Sequence, residues 1–484
     1  MKQSIAYDAV KLSTAKIITL LISMISAMLL SRFRTLEEYG TYSQLLLVIN
    51  LVTTIFMVGL PNSINFFLAR AESDKERQKY LSVFYTLTTV LSLITGLVLV
   101  LSTSLIIDYF NNPYIRKFMY VLAVYPWTKI VLSSIDHIYI VYQKTTHLML
   151  FRILNSTYLL IIILIVEKMN WGFNEYMALF VFGESIFALS VYIIVKNIAG
   201  KIYFSFDKDL ILRILNFSIP IGLATVVGTL KIEFDKLLIG RFFNTEQLAI
   251  YTNAAREMPV TFVAASITAV LMPQIVKLLK KDDKCKAVDL WKHATSLSYL
   301  IICFFAAGIF TYAPEVITLL YSEKYIPGVS VFRVYSIDLL FRCTYFGMIL
   351  NSIGKTKTIF YNSVLALIIN IILNFVFYYL LGFIGPAIAT LVATLFSATF
   401  LLLSTSKTLN MSIKNIFPWG DIFKITIVNI GFCVVFFWAK NLLAVESILG
   451  EVIESILLGA IWGVIYFSLT FAFIKKKWLA LNVK

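Results

Sequence analysis

Long apolar runs alternate with short polar joints along almost the whole chain of 484 residues. A window of about 19 residues separates fourteen such runs, most of them long enough to cross the hydrocarbon core of a bilayer as one helix. The runs lie at 12–31, 41–66, 81–105, 117–138, 150–166, 176–195, 214–239, 249–275, 293–312, 329–351, 359–381, 385–406, 423–443 and 453–473. The pattern predicts an all-α integral membrane protein with about 14 transmembrane helices.

The composition supports a lipid environment. Hydrophobic residues make up 59% of the chain and charged residues 14%, with a mean hydropathy of +0.84, whereas soluble domains carry roughly 25% charged residues. The joints are at most about twenty residues long, so they leave little room for the outer catalytic domain of a glycosyltransferase or a polysaccharide polymerase. The motifs GxxxxGK[ST], HExxH and GxSxG are also missing. We therefore predict that the protein is not an enzyme.

Cysteine and histidine give no sign of a metal site. The four cysteines stand at positions 285, 303, 343 and 433 without a CxxC pair, and the three histidines are not spaced with them as ligands. We expect neither structural disulfides nor a bound metal or other cofactor.

Basic residues are distributed unequally between alternate joints. The tails and every second joint hold 27 Lys and Arg, whereas the intervening joints hold 8. This asymmetry predicts that both termini are cytoplasmic, and it accounts for most of the net charge of +15 without nucleic-acid binding. Arg32 and Arg34 follow the first run in place of a small-residue cleavage site, so we expect a retained helix rather than a signal peptide.

An internal repeat occurs at an offset of 209 residues. Leu29, Arg32, Phe33, Glu37 and Tyr42 match Leu238, Arg241, Phe242, Glu246 and Tyr251. Because six runs separate the two joints, both copies have the same orientation, as in transporters built from parallel repeats. We predict two six-helix bundles, at 1–213 and 214–410, around a central cavity, followed at 411–484 by two additional helices and a basic C-terminal tail.

Charged side chains within the predicted spans are functional candidates, because each costs several kcal/mol unless it faces water or a partner. They are Lys16, Lys129, Asp136, Glu184, Lys231, Glu233, Asp235, Lys236, Arg256, Glu257, Arg333, Asp338 and Arg342.

Cations at similar depth indicate a cavity that receives an anionic head group. Helix rise places Lys129 and Arg342 near the bilayer centre. It places Lys231, Arg256 and Arg333 about 7 to 10 Å nearer the outside. Both residue types bind phosphate oxygens, and arginine can do so with two parallel hydrogen bonds. We predict that these five residues form a cationic substrate site.

The spacing of the charges also permits a structural interpretation. Asp338 and Arg342 are four residues apart, as are Lys231 and Asp235, and Glu233 and Lys236 are three apart. Each pair could therefore neutralise itself along one helix face. Lys129 differs, because its only acid on the same helix face is seven residues away. For Lys129 we therefore favour a position on the cavity wall.

Three acidic residues are candidates for coupling transport to an ion gradient: Glu184, Asp338 and Asp136. Glu184 is a single carboxylate at mid-depth with no basic residue within a helical turn. It could carry a proton during transport, or it could be a protonated packing residue.

Four stretches resemble Wzx-type lipid-linked oligosaccharide flippases of the multidrug/oligosaccharidyl-lipid/polysaccharide exporter (MOP) superfamily. They are "LLSRFRTLEEYGTYS" (29–43), "FSIPIGLATVVGTLKIEFDKLLIGRFFNTEQLAIYTNA" (217–254), "LNSIGKTK" (350–357) and "NIILNFVFYYLLGFIGPAIAT" (370–390). The resemblance covers nearly the whole chain and is more specific for the group than for a substrate.

The resemblance implies a bacterial inner-membrane protein with two six-helix lobes around a cationic cavity. Its cargo would be an undecaprenyl-diphosphate-linked repeat unit of O-antigen lipopolysaccharide, capsule or another exopolysaccharide. An ion gradient would drive movement to the outer leaflet, and a polysaccharide polymerase and a chain-length regulator would be partners. The cations predicted above would then hold the lipid diphosphate.

Other functions within and outside the superfamily compete with this interpretation. Drug exporters often carry an acid deep in the first helix, whereas this chain has only Lys16 there. Lipid II flippases draw several cavity cations from their first two helices, and Lys16 is again the single one here. A non-transporting assembly factor would suit charges that all pair with one another, and short outer joints disfavour a polymerase or ligase.

Overall fold

The protein is described by a computed structural model that covers residues 5–443 and 448–481. Across these ranges every regular element is a helix, which confirms the predicted all-α fold class. The ends of the tails predicted to be cytoplasmic, at 1–4 and 482–484, lie outside the described residues. The chain divides into two compact units, Met1–Ala249 and Ile250–Lys484.

The first unit consists of long helices and shorter ones that interrupt them. In chain order they are α1 (Ile5–Phe33), α2 (Leu36–Met57), α3 (Leu60–Arg70), α4 (Asp74–Leu101), α5 (Thr103–Phe110), α6 (Ile115–Leu122), α7 (Tyr125–Val141), α8 (Thr145–Lys168), α9 (Phe173–Ala199) and α10 (Lys208–Phe242). The next helix, α11 (Thr245–Ala254), begins in the first unit and ends in the second. A core of buried side chains lies among α3, α4, α7 and α9 and includes Phe84 and Ile135, which are fully buried.

The second unit is organised around one long buried helix, α13. Its helices are α12 (Phe262–Lys280), α13 (Lys284–Thr311), α14 (Ala313–Leu320), α15 (Val329–Asp338), α16 (Met348–Ser352), α17 (Thr356–Leu381), α18 (Gly385–Leu409), α19 (Ile413–Ile416), α20 (Trp419–Leu443) and α21 (Ile448–Leu481). Two apolar clusters flank α13, one around Trp291 and one around Trp462 and Tyr466.

Most predicted spans correspond to apolar helices. Eleven helical stretches of the described chain are long and apolar enough to cross a bilayer, and a twelfth consists of α6 and α7 together. One stretch, Thr356–Leu409, contains two predicted spans as the separate helices α17 and α18. The predicted span at 329–351 does not form one helix, because it is divided into α15, a 3-10 helix at Leu339–Arg342 and α16.

Local caps explain why short joints suffice between the helices. Thr35 and Glu38 form a capping box at the start of α2. The side chains of Ser73, Asp207 and Asp283 accept backbone N–H groups at the starts of α4, α10 and α13. Each cap satisfies donors that the first helical turn leaves unpaired, so a new helix can begin directly after the turn.

Helix ends at the two joints of the internal repeat agree with its offset. α1 ends at Phe33 and α10 ends at Phe242, and α2 begins at Leu36 where α11 begins at Thr245. Contacts place α10 with the first unit, because it packs against α2 and α3. The compact units therefore meet after residue 249, whereas the predicted bundles meet after residue 213. The division into bundles stays a prediction, because it follows the repeat and not the packing.

Two glycines bring the backbones of α10 and the break between α2 and α3 into contact. Gly59 at the break has a φ of +70°, a conformation that favours glycine. A Cβ atom at Gly222 on α10 would lie 2.5 Å from the carbonyl carbon of Val58. The packing of α10 in the first unit thus depends on the absence of a side chain at Gly222.

Gly222→Ala is expected to destabilise the protein by about 1 to 3 kcal/mol, because the new methyl group would overpack a backbone contact. Gly228→Ala on the same helix is the matched control, since a Cβ there meets nothing within 4 Å. Thermal unfolding of both detergent-purified variants measures the difference. Equal unfolding temperatures for the two variants would contradict the importance of this contact.

Candidate functional site

The fourth and tenth predicted spans are both interrupted. α6 and α7 meet at an angle of 47°, and the tenth span is divided at Leu339–Arg342. The two spans have the same position in the two predicted bundles, and Lys129 and Asp338 are separated by the repeat offset of 209 residues. Interrupted helices at corresponding positions of two halves are the best sequence indication of a transporter's binding site.

Lys129 on α7 is the centre of a polar cluster within the first unit. Its ammonium group donates a hydrogen bond to the side-chain carbonyl of Asn50 on α2. The Asn50 amide donates to Glu233 Oε1 on α10 at 3.4 Å, and Lys236 Nζ lies 2.7 Å from Glu233 Oε2. We call these four residues the Lys129 cluster. The cluster contains two lysines and one carboxylate, so it has one excess positive charge.

The remaining candidate cation of the first unit, Lys231, also lies on α10. It is half-buried, four residues before the buried Asp235. One carboxylate oxygen of Asp235 accepts the backbone N–H of Lys236 at 2.8 Å. Charged side chains therefore occupy one short stretch of α10, close in sequence to the residues that contact Lys129.

Arg342 is the centre of a second cluster, within the second unit. Its Nε lies 2.9 Å from Asp338 Oδ2, and its Nη1 lies 3.1 Å from Glu257 Oε1. The Asp338 side chain is only 2% exposed, and its second oxygen has no hydrogen-bond partner among the described residues. Arg256, Glu257, Asp338 and Arg342 are called the Arg342 cluster below. Removing the partner of a buried carboxylate destabilises a protein strongly, so the fold around Asp338 depends on Arg342.

A narrow cleft lies beside the Arg342 cluster. It is lined by Arg256, Tyr335 and the rest of the Arg342 cluster, and has a volume of about 20 Å³. A single water molecule fills such a space, so a diphosphate does not fit inside it in this conformation. Arg333 does not line the cleft, because its Nε donates to the carbonyl of Phe310 at 3.2 Å.

The two other acidic candidates have different surroundings. Asp136 on α7 forms a two-point ion pair with Arg152 on α8, with Nε 2.8 Å from Oδ1. Glu184 on α9 is 5% exposed and accepts a hydrogen bond of 2.8 Å from the side-chain amide of Asn155. In the described part of the chain Glu184 has no ion-pair partner, whereas Asp136 does.

Two partners of predicted site residues were not themselves predicted. Asn50 binds Lys129 and Arg152 binds Asp136. A further ion pair, Glu315 with Lys440 in the second unit, lies outside both clusters. The sequence did contain an indication of Asn50, because this asparagine stands inside an apolar predicted span. Groups of three or more His, Cys, Asp and Glu that could hold a metal ion do not occur among the described residues.

The sequence matches a known protein family over most of its length. The polysaccharide biosynthesis protein family matches residues 29–330. The chain belongs to this family. It is also similar to an uncharacterized membrane protein of Methanocaldococcus jannaschii, with 27% identity over 380 residues that cover 74% of this chain and 88% of that protein.

Solved structures show the same fold. The lipid II flippase MurJ in an inward closed conformation matches with a TM-score of 0.75 and 18% identity, covering 94% of this chain and 98% of that one. An inward-facing multidrug resistance MATE family transporter of the MOP superfamily matches with a TM-score of 0.65 and 17% identity, covering 81% and 95%. The apolar helices and the shared fold identify a multi-pass membrane protein with the fold of MurJ and the MATE transporters.

Proposed function

We propose that the protein is a flippase for undecaprenyl-diphosphate-linked oligosaccharide repeat units. It moves them from the cytoplasmic to the outer leaflet of a bacterial inner membrane by ion-coupled alternating access. The observation that carries the proposal is the positive charge of the Lys129 cluster on an interrupted apolar span. Membership of a polysaccharide biosynthesis family supports a glycan cargo.

A lipid diphosphate matches the chemistry of these clusters. It carries its negative charge next to a long apolar chain, so it needs cations inside an apolar protein. Lys129, Lys231, Arg256, Arg333 and Arg342 supply them in the proposal. While the site is empty, the neighbouring acids lower the free-energy cost of placing these cations inside the membrane. When the substrate binds, its phosphate oxygens replace those acids as partners.

The topology and the partners follow from the same proposal. Both termini are cytoplasmic, as the distribution of basic residues favours. The product is a repeat unit exposed at the outer leaflet, where a polysaccharide polymerase and a chain-length regulator use it for O-antigen, capsule or exopolysaccharide. No nucleic acid takes part.

A lipid II flippase is the second candidate function. The MurJ structure has the fold of this chain, and lipid II also carries a diphosphate. The chain has Lys16 as the single charged residue of its first predicted span, which favours the repeat-unit cargo over lipid II.

Deletion of the gene tests the proposed function. We expect an undecaprenyl-diphosphate oligosaccharide to accumulate in the cytoplasmic leaflet while surface polysaccharide disappears, measured by lipid extraction and mass spectrometry. The plasmid-borne gene should reverse both effects. Accumulation of lipid II would favour the second candidate, and normal surface glycan with altered drug tolerance would overturn the proposal in favour of an exporter.

Glu184→Gln tests the coupling role of this carboxylate. The glutamine side chain can still accept the Asn155 hydrogen bond, so we expect a folded protein that no longer carries the proton. Its translocation rate should equal the wild-type rate after a protonophore has dissipated the gradient. Glu175→Gln, an exposed position on the same helix, is the control. A Glu184→Gln variant that remains as sensitive to protonophore as wild type would exclude the role.

A further inference from the structure

The connector between α9 and α10 is an extended segment that lies along α4. The side chain of Gln78 donates to the carbonyl of Lys201 at 2.6 Å. The backbone N–H groups of Tyr203 and Ser205 donate to the hydroxyls of Ser82 and Thr86, at 3.3 and 3.0 Å. These bonds hold residues 201–205, which we call the strap, against the first turns of α4.

The regular spacing of these bonds has a geometric cause. Two residues of extended chain advance about 6.6 Å. Four residues of α-helix advance about 6.0 Å. Every second residue of the strap therefore meets every fourth residue of α4, and the side chains that do not face α4 are left at the surface.

A groove runs between the strap, α4 and α9. Its volume is about 440 Å³, which is in the range of sites for small ligands. Apolar and aromatic side chains line most of it, among them Tyr192, Ile193 and Phe204. Ile193 is 63% exposed and Phe204 is 69% exposed, so the groove is open along one side to the surroundings of the helices.

Two lysines give the groove a positive charge. Lys196 at the end of α9 and Lys201 at the start of the strap both line it and are exposed. Neither forms an ion pair within the described residues, and no acid lines the groove. The nearest acid in sequence, Asp207, is held by Lys79 at 2.5 Å, and this hydrogen bond lowers the pKa of the Asp207 carboxyl.

We propose that this groove binds an anionic phospholipid of the surrounding membrane. The headgroup phosphate lies between Lys196 and Lys201, and an acyl chain lies along Ile193 and Phe204. The position fits such a ligand, because the groove lies where α9 ends and α10 begins, at the ends of two predicted spans. Lysines near an anionic membrane surface and aromatic rings at the lipid–water boundary both favour that placement. The site is separate from the clusters proposed for the transported lipid.

Photocrosslinking of the full chain tests the proposal. The protein is reconstituted in phosphatidylcholine vesicles with a small fraction of phosphatidylglycerol whose acyl chain carries a diazirine. We expect labelled peptides from α9 and the strap. The double variant Lys196→Gln/Lys201→Gln should lower that labelling about 25-fold, since each lysine near an anionic surface contributes a factor of about five in affinity.

The matched control is Lys75→Gln/Lys144→Gln, which removes the same charge at two exposed positions outside the groove. This control should label like wild type. Equal loss in both double variants would overturn the proposal in favour of general surface attraction. Equal labelling by a diazirine-bearing phosphatidylcholine, or displacement of the probe by millimolar inorganic phosphate, would also overturn it. Transport is not measured, so the result is independent of the proposed function.

Discussion

Lys129→Gln is expected to lower the rate of glycolipid translocation by about 10- to 100-fold. This range corresponds to the loss of one hydrogen bond to a charged group, about 1.5 to 3 kcal/mol. Glutamine can still donate to Asn50, which keeps the contact between α7 and α2. The variant removes the excess positive charge of the Lys129 cluster, because one lysine and one glutamate remain.

Translocation is measured in cells that lack the chromosomal gene, as surface glycan formed per amount of the protein in the membrane. Lys129→Arg is the conservative control and should keep most of the rate, since arginine also binds phosphate. A wild-type rate for Lys129→Gln at equal protein level would remove Lys129 from the proposed site and favour a role in helix packing.

Arg342→Gln is expected to destabilise the protein by about 3 to 5 kcal/mol, because it leaves the Asp338 carboxylate buried without its cation. The double variant Asp338→Asn/Arg342→Gln should regain most of this stability, since no buried charge remains unpaired and Glu257, which also loses Arg342, is 60% exposed. Thermal unfolding and protein level in the membrane measure the effect. The same change at Arg152, whose partner Asp136 is 32% exposed, should cost at most about 1 kcal/mol.

The double variant also separates a structural ion pair from a substrate site. A pair that only stabilises the fold predicts a normal translocation rate once stability is regained. A phosphate-binding arginine predicts a slow rate in a stable protein, and this is the result that we expect. A stable double variant with the wild-type rate would exclude Arg342 from the proposed site.

The long helices could be predicted from hydropathy because lipid imposes a continuous apolar run on each spanning helix. The segment at 329–351 is the exception. Its apolar content equals that of a span, yet helix α15 ends at Asp338 and regular α-helix resumes only at Met348. A hydropathy window reports how apolar a segment is and not whether the segment forms one continuous helix, so it could not locate this break.

Contacts of charged residues could be predicted within one helix but not between helices. Helix spacing permitted ion pairs of Asp338 with Arg342 and of Glu233 with Lys236, and both are present. The hydrogen bond from Lys129 to Asn50 joins residues that are 79 positions apart. Such a contact depends on how α2 and α7 pack, which a single sequence does not specify. Short stretches of sequence were enough to indicate a membrane protein of polysaccharide biosynthesis, whereas the sugar of the proposed cargo depends on contacts that no motif describes.

The strap between α9 and α10 restricts insertions and deletions in this connector during evolution. Its bonds to α4 require alternate residues of the strap to face the helix. Inserting or deleting one residue would turn each following N–H group to the other side of the extended chain. Side chains of the strap can change while these backbone bonds persist. Family members that keep this arrangement should therefore differ in the residues of the strap but not in their number.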